Sequence, residues 1–454
     1  MSIEGVLSDV KNEYEIGDDL VGLLQTAFVI SYMIFAPLFG YLGDRHSRRI
    51  IMAFGVFLWS ITTLVGSFMH TYGWFLTFRA LVGIGEASYS TIAPTIISDL
   101  FVKDQRSKML ALFYFAIPVG STVYGKTARI TGSWRWGLRV TPVMGAIAVL
   151  LIIFVMLDPP RGESEGCDLT PTSWSSDLRA LTRNKSFMLS TVGFTCVSFV
   201  AGALAWWGPL FIKMGLMLQD GAQEVSQDDV TYKFGIIAMV SGLIGVPLGS
   251  FMAQRLRARY PRIDPMICAT GLLLSSPFLF IASLMASVNT NACYALIFFG
   301  EIFLNLNWSI VADILLYVVI PTRRSTAEAF QILFSHAFGD AGSPYIVGVI
   351  SEALKHVLSH SHTNSHVNIS SLNSSYNISS EPVIDPAVEF YSLQYSLFMT
   401  CFVEVLGGFF FLFTALYIIG DKKDAERTIA GRKFDADEKN VQRKKVKYSH
   451  YFVK

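Results

Sequence analysis

Eleven long apolar segments dominate this chain of 454 residues, and they restrict it to folds that cross a lipid bilayer. A helix needs about 20 apolar residues to cross a hydrocarbon core roughly 30 Å thick, because each residue adds about 1.5 Å. Inside that core only helices and closed barrels satisfy their backbone hydrogen bonds. The segments predict an all-α polytopic membrane protein with spans at 20–43, 50–70, 73–98, 109–125, 139–157, 187–212, 233–253, 265–287, 293–320, 329–353 and 393–419.

Composition agrees with one membrane domain and argues against other classes of protein. Only 16% of the residues are charged, where a soluble domain carries about 25%. The five cysteines are scattered without a CxxC pair, so we expect no disulfide or metal framework. No nucleophile elbow, metal-ligand cluster or phosphate-cradling loop is present, and we therefore expect no enzyme activity, no cofactor and no nucleic-acid partner. The first 19 residues are polar and acidic and do not resemble a cleavable signal peptide.

The basic residues between the spans predict the orientation of the chain. Loops on one face of the membrane carry 27 lysines and arginines, and loops on the other face carry 7. Basic loops stay on the cytoplasmic side, so the N-terminus is predicted to be lumenal and the C-terminus cytoplasmic. The cluster around Arg135 is the one loop that dissents from this division.

A polar loop at 354–391 supports the same orientation. It contains three N-x-S acceptors, at Asn368, Asn373 and Asn377. Glycosylation takes place on the lumenal or extracellular side, and this loop falls on the face with few basic residues. We predict a glycosylated lumenal loop.

The spacing of the spans divides the chain into two helical halves. We assign residues 1–157 to an N-terminal half, 158–186 to a cytoplasmic linker and 187–420 to a C-terminal half. Residues 421–454 form a basic cytoplasmic tail. The linker contains Asp177-Leu-Arg-Ala-Leu-Thr-Arg183, which predicts a short amphipathic helix on the membrane surface. Five spans before the linker and six after it make an incomplete pair of six-helix halves.

The turn between the first two spans carries a charged motif, Gly40-Tyr-Leu-Gly-Asp44-Arg45-His-Ser-Arg48-Arg49. It matches the G-x-x-x-D-R-x-x-R-R signature of the major facilitator superfamily. Gly40 allows close approach of two helices. Asp44 can pair with arginines or face a helix end, which would hold the cytoplasmic side shut. We predict a cytoplasmic gate of Gly40, Asp44, Arg45, Arg48 and Arg49.

Arg79 and Glu86 lie inside one apolar span, although an ionisable side chain near the bilayer centre costs about 2.5–3.5 kcal/mol on insertion scales. Seven residues apart on a helix, they share a face and lie about 10 Å apart along its axis. An arginine suits a phosphate head group, and a buried acid can bind and release protons. We predict that both bind substrate and that Glu86 also couples protons; a structural ion pair to a neighbouring helix is the alternative.

His336 and Asp340 stand at i and i+4 in the tenth span and therefore share a helix face. Histidine titrates near neutral pH, so the pair predicts a proton-coupling element for an acidic compartment. A structural hydrogen bond is the alternative. Glu301 and Asn305 share a face of the ninth span in the same way, and we predict that they bind substrate or pair between helices.

At these residues the sequence resembles the spinster family of lipid transporters. The matching stretches are 82–94, 113–120, 311–330 and 339–345, and the resemblance extends from about residue 3 to residue 421. It implies a major facilitator fold of twelve spans in two pseudo-symmetric six-helix halves, with alternating access around a central site. It also implies proton-coupled export of lysophosphatidylcholine and lysophosphatidylethanolamine from lysosomes or late endosomes by a monomer, with protons as the coupling ion. The plasma membrane is the second location.

Two departures from the family pattern leave alternatives open. The family's first span, with its Asn-Tyr-x-Asp-Arg motif, is absent, since the chain begins where that helix would end. The fourth span of this chain is also short near Ser121. These departures admit a non-transporting truncated isoform that acts as an interaction partner. Within the family, export of sphingosine 1-phosphate or a related sphingolipid is the other alternative.

Overall fold

The computed structural model describes residues 10, 13–16, 18–102, 104–114, 116, 127, 131, 133–161, 173–219, 227–366 and 385–451. Side chains are described as far as residue 430, except at 18, 19, 21, 22, 228 and 360–366. The predicted glycosylation sites Asn368, Asn373 and Asn377 lie outside these ranges, and so does most of the predicted span 109–125.

The N-terminal half consists of five helices in the described ranges. They are α1 (Asp18–Arg45), α2 (Arg48–Gly66), α3 (Tyr72–Leu100), α4 (104–114) and α5 (Trp134–Phe154). Helix α3 packs between α1 and α2, and α5 packs on the outside of α2. Consequently α5 turns a row of apolar side chains outward, which are Val143, Met144, Ile147, Leu150 and Leu151. A bilayer is the environment in which such a row is stable.

The linker contains α6 (Trp174–Arg183), as its amphipathic pattern predicts. The C-terminal half follows, with α7 (Lys185–Met217), α8 (Gln227–Arg257), α9 (Ile263–Met285), α10 (Thr290–Asn305), α11 (Asn307–Val318), α12 (Arg324–Ser335), α13 (Ser343–His366) and α14 (Pro386–Tyr451). Two breaks fall inside predicted spans: Leu306 separates α10 from α11, and a π turn at His336–Asp340 separates α12 from α13. Helix α14 continues beyond the predicted span into the basic tail.

Eight helical segments in the described part of the chain, with α10 and α11 counted as one, are long and apolar enough to cross a membrane. Two of the other three predicted spans correspond to α3 and to the α12–α13 pair, and the third, 109–125, overlaps α4 and lies mostly outside the described residues. Helix α3 is as long as the eight, but it carries Arg79, Glu86 and Asp99 among its apolar residues. The prediction of an all-α polytopic membrane protein is confirmed.

Arg135, the exception to the charge asymmetry, is neutralised by a residue that precedes α1. Its guanidinium lies 2.6 Å from Glu13 Oε1 and donates to the backbone carbonyls of Ser67 and Met69 at 2.5 and 2.8 Å. Trp134 Nε1 donates to the other oxygen of Glu13 at 2.7 Å. Glu13 and the two backbone carbonyls therefore hold Arg135 in place at this edge of the N-terminal half.

Candidate functional site

Asp44, at the end of α1, caps the first turn of α12 across the boundary between the two halves. Its carboxylate accepts hydrogen bonds from the N–H groups of Ser325 and Thr326 at 3.0 and 2.9 Å, and from the Thr326 hydroxyl at 2.6 Å. Asp44 is fully buried. An acidic side chain satisfies the free N–H groups of a helix N-terminus and interacts favourably with its dipole, so Asp44 holds the two halves together here.

Gly40, one turn earlier on α1, permits this contact. A Cβ at Gly40 would lie 2.6 Å from the Cβ of Ala329 and 2.7 Å from the carbonyl oxygen of Ser325. Any larger residue would therefore push α1 away from α12. The predicted role of Gly40 in close helix approach matches this geometry.

Arg48 belongs to a second cluster on the same face. It forms an ion pair with Asp99 at the end of α3, and both side chains are fully buried. Arg48 Nε also donates to the carbonyl of Gly43 at 3.2 Å. Arg324, from the C-terminal half, lies 3.6 Å from the other oxygen of Asp99, so this cluster also joins the halves.

Asp177 of the linker helix α6 joins the two halves through one carboxylate. One oxygen lies 2.8 Å from Arg45, and the other lies 2.7 Å from Arg323. The Asp177 side chain has no exposed surface, and both arginines are mostly buried. The helix predicted to lie on the membrane surface therefore also ties the ends of α1 and α12 together. Arg49 is exposed and takes part in none of these contacts.

A further ion cluster, centred on Asp313 of α11, escaped the sequence reasoning. Arg106 at the start of α4 and Arg257 at the end of α8 each lie 2.7 Å from Asp313. Ser107 donates to Asp313 at 2.6 Å, and Arg257 also lies 3.0 Å from Asp264. The repeated pattern of an apolar residue, a small residue, an aspartate and an apolar residue at 97–100 and 311–314 is the sequence signal that links Asp313 to Asp99.

We name these contacts the latch, comprising Asp44 with α12, the Arg48–Asp99–Arg324 cluster, the Asp177 bridge and the Asp313 cluster. All lie at the helix ends that the positive-inside pattern predicts to be cytoplasmic. Breaking a buried, hydrogen-bonded ion pair by removing one partner costs several kcal/mol. Because the latch contacts join the two halves, the described structure is closed on this face.

Arg79 lies deeper in the N-terminal half, between α3 and α1. Its Nη2 donates to Gln25 Oε1 at 3.3 Å, and its guanidinium carbon lies 4.9 Å from the centre of the Phe28 ring. The residue is 4% exposed. Gly83, one turn further on, lets the helices approach, since a Cβ there would lie 2.3 Å from the carbonyl oxygen of Phe28.

Glu86 lies on the same face of α3, and its surroundings connect to the C-terminal half. The Ser90 hydroxyl donates to the backbone carbonyl of Glu86 at 2.9 Å and accepts from the Tyr32 hydroxyl at 2.7 Å. The Tyr32 ring in turn meets His336 edge to face, with 4.8 Å between the ring centres. A chain of contacts thus runs from α3 through α1 to the π turn.

His336 and Asp340 form the pair that their spacing predicts. His336 Nδ1 lies 2.7 Å from Asp340 Oδ1, and the side chains are 26% and 35% exposed. The π turn that carries them packs against α7, because a Cβ at Gly339 would lie 2.6 Å from Ser198. We name the group of Glu86, Ser90, Tyr32, His336 and Asp340 the seam cluster. It brings titratable side chains from both halves together.

Glu301 and Asn305 make contacts within the C-terminal half. Asn305 Nδ2 donates to the Glu301 carbonyl at 2.8 Å and lies 3.3 Å from its carboxylate. Helix α8 packs closely beside them, since a Cβ at Gly245 would lie 2.7 Å from Asn305. No hydrogen bond among the described residues joins this pair to Arg79 or to the seam cluster, so its predicted substrate contact stays a prediction.

Comparison with known protein families identifies the family to which this chain belongs. The profile of the Major Facilitator Superfamily matches residues 2–343. The chain is 58% identical to Protein spinster of Drosophila melanogaster over 455 residues, which cover 94% of this chain and 75% of the relative. It is 48% identical to Protein spinster homolog 1 of Homo sapiens over 446 residues, which cover 95% of this chain and 80% of the relative.

Solved structures show the same fold. The crystal structure of a bacterial homolog to human lysosomal transporter, spinster, inward-facing and occupied, gives a TM-score of 0.62 at 20% identity, covering 92% of this chain and 93% of that one. The proton:xylose symporter XylE gives a TM-score of 0.64 at 15% identity, covering 90% of each chain. The predicted major facilitator architecture is confirmed.

Proposed function

This chain belongs to the spinster family of major facilitator transporters, and we propose that it exports lysophospholipids from the lysosome to the cytosol together with protons. Lysophosphatidylcholine and lysophosphatidylethanolamine are the proposed cargoes. The observation that carries the proposal is the seam cluster, in which His336, paired with Asp340 of the same half, contacts Tyr32 of the other half.

The position of the seam cluster supports proton coupling. Alternating access moves one helical half against the other, so contacts between the halves change in each cycle. The His336–Tyr32 contact is one of these. Adding a proton to the His336–Asp340 pair changes its charge, and a change of charge at a moving contact biases the equilibrium between the two conformations.

The N-terminal half offers a partner for a phosphate head group. Arg79 places a guanidinium between α3 and α1, beside the aromatic ring of Phe28. Guanidinium groups bind phosphate with two parallel hydrogen bonds, and Phe28 gives the adjoining surface an apolar character that suits an acyl chain. A zwitterionic phosphodiester needs one such cation, whereas the bare phosphate of sphingosine 1-phosphate calls for more.

The proposed location follows from the charge of the cluster and from a relative. An imidazole–carboxylate pair responds to the pH difference between an acidic lumen and a neutral cytosol. The human relative of the bacterial homolog is described as a lysosomal transporter. The acceptors at Asn368, Asn373 and Asn377 would then face the lumen and carry glycans.

Flux measurements in proteoliposomes test the proposal. Proteoliposomes with an acidic interior, loaded with labelled lysophosphatidylcholine, should export it at least tenfold faster than loaded liposomes without the protein. Collapse of the pH gradient should abolish this difference. Arg79→Ala should lower the rate at least tenfold, while Arg179→Ala on the exposed face of α6 should leave it unchanged.

Two other outcomes favour the alternatives. Export of labelled sphingosine 1-phosphate without export of lysophosphatidylcholine would assign the sphingolipid cargo. Absence of flux for either lipid, with the protein folded and inserted, would assign a non-transporting role as an interaction partner. A lysolipid flux that ignores the pH gradient would remove proton coupling but leave the cargo.

A further inference from the structure

Glu328, one turn into α12, is an acid that the latch and the seam cluster do not use. It is 3% exposed, although it lies in a helix that contacts both halves. Its Oε1 atom has no hydrogen-bond partner among the described residues. Burial with an oxygen that lacks a hydrogen-bond donor disfavours the charged carboxylate relative to the protonated acid.

Two charged side chains at the start of α12, those of Arg324 and Asp44, bind other groups. Arg324, one turn earlier on the same helix, donates to the Val319 carbonyl at 3.1 Å and lies 3.6 Å from Asp99 on α3. Asp44 on α1 caps the start of α12. These contacts hold Asp44 of α1 and Asp99 of α3 in the latch.

Among the residues that the structure describes, no charged side chain pairs with Glu328. Tyr114 on α4, in the N-terminal half, lies within electrostatic range of Glu328. On α7, the ring centre of Phe187 lies 5.8 Å from that of Phe330 of α12, and the Thr191 hydroxyl accepts a hydrogen bond from Gln331 of α12 at 3.3 Å. Glu328 therefore lies between the two halves in surroundings that favour the neutral acid.

Opening of the latch changes these surroundings. Asp44 must release the first turn of α12, and α12 must separate from α1, α3 and α4 of the N-terminal half. Water from the cytosol then reaches Glu328 and solvates a carboxylate. Reclosure returns the side chain to a buried site, which requires a proton again.

We propose that Glu328 is a second proton-binding site, protonated while the latch is closed and releasing its proton to the cytosol when the latch opens. It lies eight residues before His336, about 12 Å along the helix axis at 1.5 Å per residue. The proposal rests on the proposed proton coupling and adds the cytosolic step to it. One proton released per opening makes the ratio of open to closed molecules rise up to tenfold per pH unit.

Spin-label distances between the halves test this step without any cargo. Labels at His46→Cys and Arg262→Cys, both exposed and on opposite halves, are placed in a protein with its native cysteines replaced and reconstituted in nanodiscs. The fraction at the longer distance should rise between pH 5.5 and 8. Glu328→Gln, which mimics the protonated acid, should remain at the shorter distance and lose at least half of the pH slope.

Glu404→Gln is the matched control. Glu404 is also a fully buried acid with one oxygen lacking a hydrogen-bond partner among the described residues, but it lies within the C-terminal half, where Ser275 of α9 donates to it at 2.8 Å. This variant should keep the pH slope of the parent. A Glu328→Gln protein that loses less than half of the slope overturns the proposal.

Infrared spectroscopy gives a second readout that does not depend on opening. The closed protein at pH 7.5 should show the carbonyl band of a protonated carboxylic acid that is missing from Glu328→Gln and shifted in Glu328→Asp. A spectrum without that difference overturns the proposal. If Glu328→Gln does not fold, the shift of the band in Glu328→Asp is the test. Neither measurement uses lipid cargo. A failure of lysolipid export therefore does not change the Glu328 result, and a failure of the Glu328 test does not change the export result.

Discussion

Asp44 accepts hydrogen bonds from both the backbone N–H and the hydroxyl of Thr326, at 2.9 and 2.6 Å. The two residues are 282 positions apart in the chain and belong to opposite halves of the transporter. A single carboxylate therefore acts as the N-cap of a helix in the other half. The cap favours closure of the latch because it binds the N–H groups of Ser325 and Thr326, which must bind water when the halves separate.

Replacing Asp44 by alanine should favour the open form of the latch. Loss of a buried cap and its hydrogen bonds costs about 1–3 kcal/mol, which is roughly 5- to 150-fold in the ratio of open to closed molecules. The spin-label pair at positions 46 and 262 measures that ratio. Arg179→Ala, on the exposed face of α6, should leave the distance distribution unchanged; an unaltered distribution in Asp44→Ala would contradict the capping role.

Asp177 should couple Arg45 to Arg323, since the carboxylate contacts both at 2.8 and 2.7 Å. Removing Asp177 leaves two mostly buried arginines beside each other, so we expect Asp177→Ala to lower the unfolding temperature by several degrees. In double-mutant cycles, each arginine should couple to Asp177 by about 1–3 kcal/mol, as buried ion pairs do. Coupling energies near zero would show that the linker helix does not hold the latch.

Gly83→Ala should destabilise the contact between α1 and α3. The added Cβ would lie 2.3 Å from the carbonyl oxygen of Phe28, and overpacking of this kind costs about 1–3 kcal/mol. Gly73→Ala is the matched control, because nothing lies within 4 Å of a Cβ at that position. Thermal unfolding in detergent should show a lower midpoint for Gly83→Ala and an unchanged midpoint for Gly73→Ala. Equal midpoints for the two variants would contradict the close packing of α1 against α3.

His336→Gln should flatten the pH dependence of transport. The imidazole lies 2.7 Å from Asp340 and touches Tyr32 of the other half, so its charge acts where the halves move. We expect the rate to change less than twofold between lumenal pH 5 and 7 in this variant. His356→Gln, at a side chain that is 76% exposed, should keep the wild-type profile, and an identical profile in both variants would exclude His336 from coupling.

Glu13 should stabilise the fold at neutral pH and less so in strong acid. Burial raises the pKa of Glu13, but hydrogen bonds from Arg135 and Trp134 and the charge of Arg135 outweigh it, so the pKa falls below the ordinary value of 4.5. A lowered carboxyl pKa stabilises the folded state above the unfolded pKa, and this contribution disappears as the pH falls through the folded pKa. Because Glu13 is 38% exposed, solvent screening limits the effect to less than about 1 kcal/mol.

The test of the Glu13 prediction compares wild type with Glu13→Gln. Thermal midpoints should differ by a small amount at pH 7 and converge below pH 4. A difference that grows as the pH falls would contradict the sign of the pKa shift.

The spans and the pairing of His336 with Asp340 could be predicted from sequence, because each depends on local properties. Hydropathy over about 20 residues marks a span, and the i to i+4 spacing of His336 and Asp340 brings them together on any helix. The motif at Gly40–Arg49 indicates a latch, although its exposed Arg49 takes no part in the described contacts. The Asp313 cluster was missed because its arginines read as ordinary cytoplasmic loop charges.

The amino-acid sequence by itself determined that this protein crosses the membrane many times and which ionisable groups lie within its spans, since hydrophobic transfer and helix periodicity are sums over near neighbours. Only the tertiary structure decided which ionisable groups, in the spans and in the segments between them, are paired. Asp177 meets Arg45 and Arg323 across 132 and 146 residues of chain, while Glu328 is buried with one oxygen lacking a hydrogen-bond partner in the described region. The reason is that the packing of helices far apart in the sequence determines which groups lie within reach of a buried charge.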